Sequence, residues 1–126
     1  GNFITNGSSP YDWRNPQNDN LWQGVSGTNN PCPSGYRLPT EAEWEAEIAT
    51  WSFANATGAF ASPLKLPVAG RRGNSNGTLY DVGSYGYYWS STVDGTYARG
   101  LNFGSSNAGM GSGSRADGFS VRCLKD

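Results

Sequence analysis

The stretch GLNFGSSNAGMGSGSRADGFSVRC, Gly100–Cys123, alternates large apolar residues with glycines and small polar residues. Because successive side chains of a β-strand point to opposite faces, this alternation predicts strands with one apolar face and one nearly bare face. We expect Leu101, Phe103 and Met110 to be buried. The bare set is expected to share one exposed, substitution-tolerant face that binds a ligand: Gly100, Asn102, Gly104, Gly109, Gly111 and Gly113.

The glycine-rich face could also arise in two ways that involve no ligand. Glycine weakens the interior of a strand, since it costs backbone entropy and offers no side chain for packing. The stretch could therefore be a loose loop, or its glycines could permit the close approach of another backbone. We favour a binding surface whose composition can change without disturbing the core.

Further short strands are predicted before and after this stretch. The segment YYWSST, 87–92, has the aromatic and hydroxyl content of a central strand, and Asp94-Gly95 after it predicts a tight hairpin turn. In SPLKLPVAGRR, 62–72, alternating apolar residues predict an edge strand, because Pro67 cannot donate to a ladder. The full set of predicted strands is 3–4, 62–72, 79–82, 87–92, 97–104, 108–112 and 118–124.

One helix is predicted by RLPTEAEWEAEIATW, 37–51, and it should begin at Glu41. Thr40 followed three residues later by Glu43 is a capping box, and acidic residues in the first turn suit the helix dipole. Three apolar residues recur at helical spacing and should form the buried stripe: Trp44, Ile48 and Trp51. With the strands, this helix predicts a single α+β domain over residues 1–126, built on an antiparallel sheet.

The composition bears on several classes of function. A net charge of −1 provides no electrostatic footprint for nucleic acid, and no apolar run approaches the roughly 20 residues needed to span a bilayer. The chain has no histidine, so neither a histidine-ligated metal site nor a cysteine nucleophile with a histidine base is expected. We predict no catalytic residue, metal or cofactor, with a structural Ca²⁺ as the alternative. Its candidate ligands are Asp12, Asn18, Asp19, Asn20, Asp81 and Asp94.

The two cysteines, Cys32 and Cys123, lie far apart in the sequence. We favour a disulfide between them, which would tie the last strand to the segment before the helix and place the protein in an oxidising compartment. The alternative is a pair of buried free thiols in a reducing compartment.

Four blocks, in this order, carry a resemblance to a known family: NPCPSGYRLPTEAEWEAE (30–47), LKLPVAG (64–70), GYYWSST (86–92) and RADGFSVRCLKD (115–126). With these blocks the chain resembles the Fibrobacter succinogenes major paralogous domain, from about Tyr11 to Asp126. That family is similar to C-type-lectin-like proteins and to the formylglycine-generating enzymes.

The resemblance implies a twisted antiparallel sheet with one main helix and long irregular loops. It implies an extracellular, cell-surface or virion setting, as the C-terminal part of a longer chain such as an adhesin or a phage tail fibre, with oligomers formed through that chain. Cys32 and Cys123 fall in the family's paired-cysteine blocks, which supports their pairing. The oxidation chemistry of the formylglycine-generating enzymes needs a reactive cysteine pair and is not carried over.

Domains of this lectin-like kind also serve as variable proteins of diversity-generating retroelements, which rewrite adenine-bearing codons near the C-terminus. The expected function is therefore non-enzymatic recognition of a surface protein or glycan, without nucleic acid or membrane insertion. The alternatives are a degenerate enzyme or a structural cap of a fibre. The candidate ligand-binding residues are Arg71, Arg72, Asn74, Tyr80, Asp81, Tyr85, Tyr87, Tyr97, Gly100, Asn102, Gly104, Asn107, Gly109, Gly111, Gly113 and Asp117.

Overall fold

A computed structural model describes residues 2–126 of the chain. It is a small α+β domain in which two short helices accompany three small antiparallel sheets. The elements in chain order are β1 (Tyr36–Arg37), α1 (Glu41–Ala49), α2 (Ala56–Ala61), β2 (Arg71–Arg72), β3 (Leu79–Tyr80), β4 (Gly86–Asp94), β5 (Tyr97–Phe103), β6 (Ala108–Ser114) and β7 (Leu124–Lys125).

The largest sheet contains β4, β5 and β6 in that order, so the predicted antiparallel strands are confirmed. Asp94 pairs with Tyr97 across the predicted hairpin turn, where Gly95 adopts a φ of 58° that favours glycine. The prediction of a central strand at 87–92 is wrong, because β5 is central and β4 lies at one side. Two isolated parallel bridges, Ser120 to Tyr88 and Gly70 to Gly86, partly cover the outer edge of β4.

Helix α1 begins as predicted, with both hydrogen bonds of the capping box between Thr40 and Glu43 present. It ends at Ala49, two residues before the predicted end. Trp44 is fully buried, and its indole N–H donates to the carbonyl of Trp89 at 3.3 Å. The core packs α1 against the strands around six residues: Trp44, Ala59, Leu66, Tyr88, Leu101 and Phe103.

The predicted edge strand over 62–72 is wrong except at Arg71–Arg72. Lys65 has a φ of 53°, in the left-handed region, which breaks the extended conformation that alternation alone suggested. Leu66 nonetheless reaches the core. Helix α2, which precedes this segment, is absent from the sequence-based prediction; its N-cap Asn55 accepts a hydrogen bond from the Gly58 amide at 3.1 Å.

The chain ends also differ from expectation. No strand forms at 3–4; Ile4 is exposed, and the Phe3 ring packs edge-on against Trp13 with centroids 5.8 Å apart. In place of a strand over 118–124, the final segment makes isolated bridges and then pairs as β7 with β1. The predicted strand over 79–82 shortens to β3, which ends where Asp81 adopts a φ of 60°.

The disulfide between Cys32 and Cys123 is present, with a Cα–Cα distance of 5.8 Å across a sequence separation of 91 residues. It lies just before β1 and just before β7, so it joins the two segments that this small sheet pairs. Neither helix among residues 2–126 has the length and apolar character to cross a membrane.

Candidate functional site

The register of the three-stranded sheet sorts its side chains into two faces. Leu101 pairs with Tyr88 and Met110, and these residues lie on the face that packs on α1. The opposite face carries the glycine-rich set: Gly100 pairs with Trp89 and Gly111, and Asn102 pairs with Tyr87 and Gly109. The predicted division into an apolar face and a small-residue face is therefore confirmed, with Leu101 and Phe103 fully buried and Met110 partly buried.

The prediction that all these glycines are exposed is wrong for Gly100, Gly104 and Gly113. The ring of Phe119 lies over this face and stacks on Trp89 with centroids 4.0 Å apart. A Cβ added to Gly113 would be 2.9 Å from Phe119, and one added to Gly104 would be 2.7 Å from the Tyr85 ring. These glycines therefore do permit a close approach. Aromatic side chains approach Gly104 and Gly113, and at Gly100 a Cβ would be 3.1 Å from the backbone oxygen of Tyr88 and 3.2 Å from Phe119.

Part of the face stays open beyond Phe119. Asn102, Gly109 and Gly111 are partly exposed. A Cβ at Gly109 would meet nothing within 4 Å, and one at Gly111 would meet only the Asn102 amide nitrogen at 2.8 Å. These two glycine positions can therefore change without displacing the core.

Arg71 extends this open area through the hairpin of β2 and β3. The strand register places Arg71 opposite Tyr80, and its guanidinium carbon lies 5.1 Å from the Tyr80 ring centroid and 5.8 Å from that of Tyr87. The Gly70 amide donates to the Tyr85 carbonyl at 2.8 Å, which fixes the hairpin against the start of β4. Residues far apart in the sequence thereby meet on one surface.

Charged groups hold Arg71 in this position. Its guanidinium lies 3.9 Å from the carboxylates of both Asp81 and Asp117, and Tyr87 donates its hydroxyl hydrogen to Asp81 at 2.9 Å. Burial raises the pKa of the Asp117 carboxyl, which is 8% exposed and accepts the Asn74 amide at 3.1 Å. Burial and the neighbouring Asp81 likewise raise the pKa of Tyr87.

We call the residues that are brought together and are at least partly exposed the Arg71 surface: Arg71, Tyr80, Asp81, Tyr85, Tyr87, Asn102, Gly109 and Gly111. Tyr85 and Tyr87 stack with ring centroids 6.1 Å apart, so the aromatic part of this surface is continuous. Asp117 lies beneath it and supports Arg71.

A family model described as a domain of unknown function, DUF8237, matches residues 45–124, which is more than half of the chain. The chain belongs to the DUF8237 family. The match begins within α1 and ends at β7, so it contains the whole Arg71 surface. No curated protein and no solved structure matches the chain.

Eight predicted site residues of this DUF8237 chain lie outside the Arg71 surface. Four of them are buried: Gly100, Gly104, Gly113 and Asp117. The other four lie elsewhere on the domain. Tyr97 is exposed at the hairpin end of the sheet, and Asn107 is exposed in the turn between β5 and β6. The Arg72 guanidinium donates to the Gly77 carbonyl at 2.8 Å, and the Asn74 carbonyl accepts the Asn6 amide at 2.7 Å. Arg72 and Asn74 therefore tie loops together in this structure.

Sequence reasoning misses two features of the DUF8237 chain. It does not place the Phe119 ring over the glycine-rich face, although a large aromatic residue six positions after Gly113 is a signal that a ring could cover that face. The second missed feature is Arg115, which forms ion pairs with two of the calcium candidates, with Asp12 at 3.8 Å and with Asp19 at 2.7 Å. Among residues 2–126, no group of three or more acidic, histidine or cysteine side chains could hold a metal ion.

Proposed function

We propose that this DUF8237 chain is a non-enzymatic recognition domain with a C-type-lectin-like fold, which works outside the cytoplasm and binds a surface protein through the Arg71 surface. A glycan is the second candidate ligand. The observation that carries the proposal is the convergence of Arg71, Tyr80 and Tyr87 from separate strands into one surface that is partly open to solvent.

The residue types of the Arg71 surface suit protein recognition. Tyrosine offers a large amphipathic contact area at low entropic cost, and tyrosine and arginine are enriched among residues that dominate binding energy. Arg71 is held by two rings and two carboxylates before any ligand arrives, so little further side-chain entropy is lost on binding. Asn102 adds an amide that can donate and accept.

The proposed fold and location draw on the resemblance to the Fibrobacter succinogenes major paralogous domain. An α+β domain with antiparallel sheets, one longer helix and an irregular N-terminal segment agrees with that resemblance. The Cys32–Cys123 bridge favours an oxidising location, since such bonds persist chiefly outside the cytosol.

Diversification by a retroelement is supported only at the open positions. Large side chains at Gly100, Gly104 or Gly113 would collide with Phe119 or Tyr85, whereas Asn102 and Gly109 have room for change. If the face is rewritten in nature, we therefore expect variation at Asn102, Gly109 and Gly111 and constancy at the covered glycines.

The enzyme alternative finds less support. A relative of the formylglycine-generating enzymes would need a reactive cysteine pair, and here the two sulfurs are bonded between β1 and β7 rather than at the Arg71 surface. A structural fibre cap would instead associate through a large apolar interface, and the oligomeric state of the isolated domain tests that role.

The experiment is a binding screen of the isolated domain against surface-protein and glycan collections, followed by two matched variants. Tyr80→Ala removes an exposed tyrosine of the Arg71 surface, and Tyr97→Ala removes a similarly exposed one at the far end of the sheet. We expect Tyr80→Ala to weaken binding by about tenfold or more and Tyr97→Ala to leave it unchanged. The reverse pattern would place the binding surface at the hairpin end and contradict the proposal.

A further inference from the structure

A cleft of about 90 Å³ lies between the irregular N-terminal segment and the strands β4 and β5. Its lining includes three tryptophans, Trp13, Trp22 and Trp89, and the carboxylates of Asp12 and Asp19. Apart from Trp89, none of these residues belongs to a named strand or helix, and none contributes to the Arg71 surface. We call it the tryptophan cleft.

Asp12 is the unusual member of this lining. Its side chain is 5% exposed, and its Oδ2 atom is buried without any hydrogen-bond partner. The other carboxylate oxygen accepts the Arg14 amide at 2.9 Å. A buried carboxylate oxygen without a donor costs free energy, so a ligand that supplies a donor at this point would be favoured.

Nearby cations do not supply that donor. Arg115 lies 3.8 Å from Oδ2 of Asp12, too far for a hydrogen bond, and it donates instead to Asp19 at 2.7 Å and to the carbonyls of Gly95 and Tyr97 at 2.8 Å and 3.4 Å. Arg14 also lines the cleft, yet it is exposed and contacts Asp12 through its backbone amide. The side chains of Asp12 and Arg115 are both largely buried, whereas that of Asp19 is 57% exposed. Arg115 therefore balances the charge of Asp12 but leaves its Oδ2 atom without a hydrogen-bond donor.

The aromatic walls of the cleft favour a cationic ligand. The indole N–H of Trp13 already donates to the Ile4 carbonyl at 2.7 Å, so Trp13 offers a ligand its ring rather than a donor. Aromatic rings attract cations, tryptophan most strongly. Apolar side chains among the lining, Leu21 and Val93, suit an alkyl chain.

We infer that the tryptophan cleft binds a primary alkylammonium group. Its N–H groups donate to Oδ2 of Asp12, and its alkyl chain packs among the tryptophan rings. Such a group can come from a small free amine or from a lysine side chain, and this inference stands independently of the Arg71 surface.

Three small probes of similar size separate the parts of this inference. n-Butylammonium has both the charge and the donors, tetramethylammonium has the charge without donors, and 1-butanol has a donor without charge. Each is titrated into ¹⁵N-labelled protein while the indole N–H signals of Trp13, Trp22 and Trp89 are followed by NMR. We expect n-butylammonium to bind at least about tenfold more tightly than either other probe.

Equal binding of tetramethylammonium would mean that the rings alone select the ligand, and equal binding of 1-butanol would mean that the cleft is merely apolar. Either result overturns the inference, as does the absence of saturable shifts with all three probes. A blocked lysine peptide forms the fourth arm. Tighter binding of the peptide than of n-butylammonium assigns the group to a protein partner, and the opposite order assigns it to a free amine.

Asp12→Asn keeps the side-chain shape but removes the charge, and we expect it to weaken n-butylammonium binding by about tenfold. Asp126→Asn, at the exposed C-terminal residue, is the matched control and should bind as the parent does. Unchanged binding by Asp12→Asn would overturn the inference; if that variant does not fold, the three-probe comparison on the parent protein still decides. Tyr80→Ala should retain n-butylammonium binding, so failure here and failure of the proposed recognition surface are distinguishable.

Discussion

At the scale of single residues, glycines at the same spacing in one strand have different roles. Gly109 and Gly113 both lie in β6 and on the same face of the sheet. Gly113 is buried because Phe119 and Trp89 crowd the space that its side chain would fill, while the space beside Gly109 is open. Both positions are glycines on the same face of one strand, and they differ because the ring of Phe119, from a later segment of the chain, covers only Gly113.

This contrast predicts opposite effects of one substitution. Gly113→Ala should lower the free energy of unfolding by about 1–3 kcal/mol, because the new Cβ would lie 2.9 Å from Phe119 and 3.0 Å from buried Trp89. Gly109→Ala should be neutral or stabilising by up to about 1 kcal/mol, since it restricts the unfolded chain without a clash. Equilibrium denaturation of both variants measures this, and equal costs would show that Phe119 does not confine Gly113.

At the scale of elements, α1 is attached to the rest of the domain through its first turn. The Arg37 guanidinium of β1 contacts Glu43 of α1 with two hydrogen bonds of 2.7–2.8 Å and also binds Asp126 at 2.8 Å. Glu43 accepts the Thr40 amide at 2.8 Å as part of the capping box. One carboxylate thus serves both the start of the helix and the β1–β7 sheet that Arg37 belongs to.

The Glu43 carboxylate should make stability depend on acidity. Its hydrogen bonds with Arg37 lower the pKa of Glu43 from 4.5 to about 2. Because the folded-state pKa is the lower one, the stabilisation is fully present above about pH 4.5 and is lost as the pH falls through about 2. Glu43→Gln should therefore cost about 1 kcal/mol at neutral pH, the side chain being partly exposed, and progressively less as the pH falls towards and below about 2.

Urea denaturation of Glu43→Gln and the parent protein across this pH range measures the difference. Glu45→Gln, an exposed position on the same helix, is the control for loss of a carboxylate. If the difference in the free energy of unfolding between Glu43→Gln and the parent stayed constant from neutral pH to pH 2, the charge-based account would be contradicted. The effect of Glu43 would then come only from the geometry of its capping box.

At the scale of the whole molecule, residues 2–35 contain no helix or strand, yet they are attached to the sheet at many points. The Ala116 amide donates to the Tyr11 carbonyl at 2.8 Å, and the Gln23 side chain donates to the Ser91 carbonyl at 2.5 Å. The disulfide adds a covalent connection between this segment and the last residues of the chain. The overall shape therefore depends on long-range connections more than on the lengths of its elements.

Loss of the disulfide should destabilise the domain strongly. The bridge closes a loop of 91 residues, and on the chain-entropy account such a loop contributes roughly 4–5 kcal/mol. The Cys32→Ser/Cys123→Ser double variant should lose about that much free energy of unfolding, measured by chemical denaturation. A loss below about 1 kcal/mol would mean that the unfolded chain is already restricted without the bridge.

Local sequence determined the elements whose causes are local. The start of α1 was predictable because Thr40 and Glu43 satisfy the helix end themselves, and the turn at Asp94-Gly95 because glycine tolerates the required φ. The two-residue period assigned Leu101 and Phe103 to the buried face correctly. The same two-residue period predicted a strand around Lys65 wrongly, because the alternating apolar residues there have no partner strand to pair with.

Tertiary structure alone decided which part of the second sheet face is open and where a ligand could be held. Whether a glycine of this face is exposed depends on which ring covers it, Phe119 at Gly113 and Tyr85 at Gly104. Whether Asp12 has a hydrogen-bond donor depends on which partners Arg115 takes. Periodicity reports only the face on which a side chain lies. The covering of that face is set by contacts between residues distant in the chain, so no local pattern contains it.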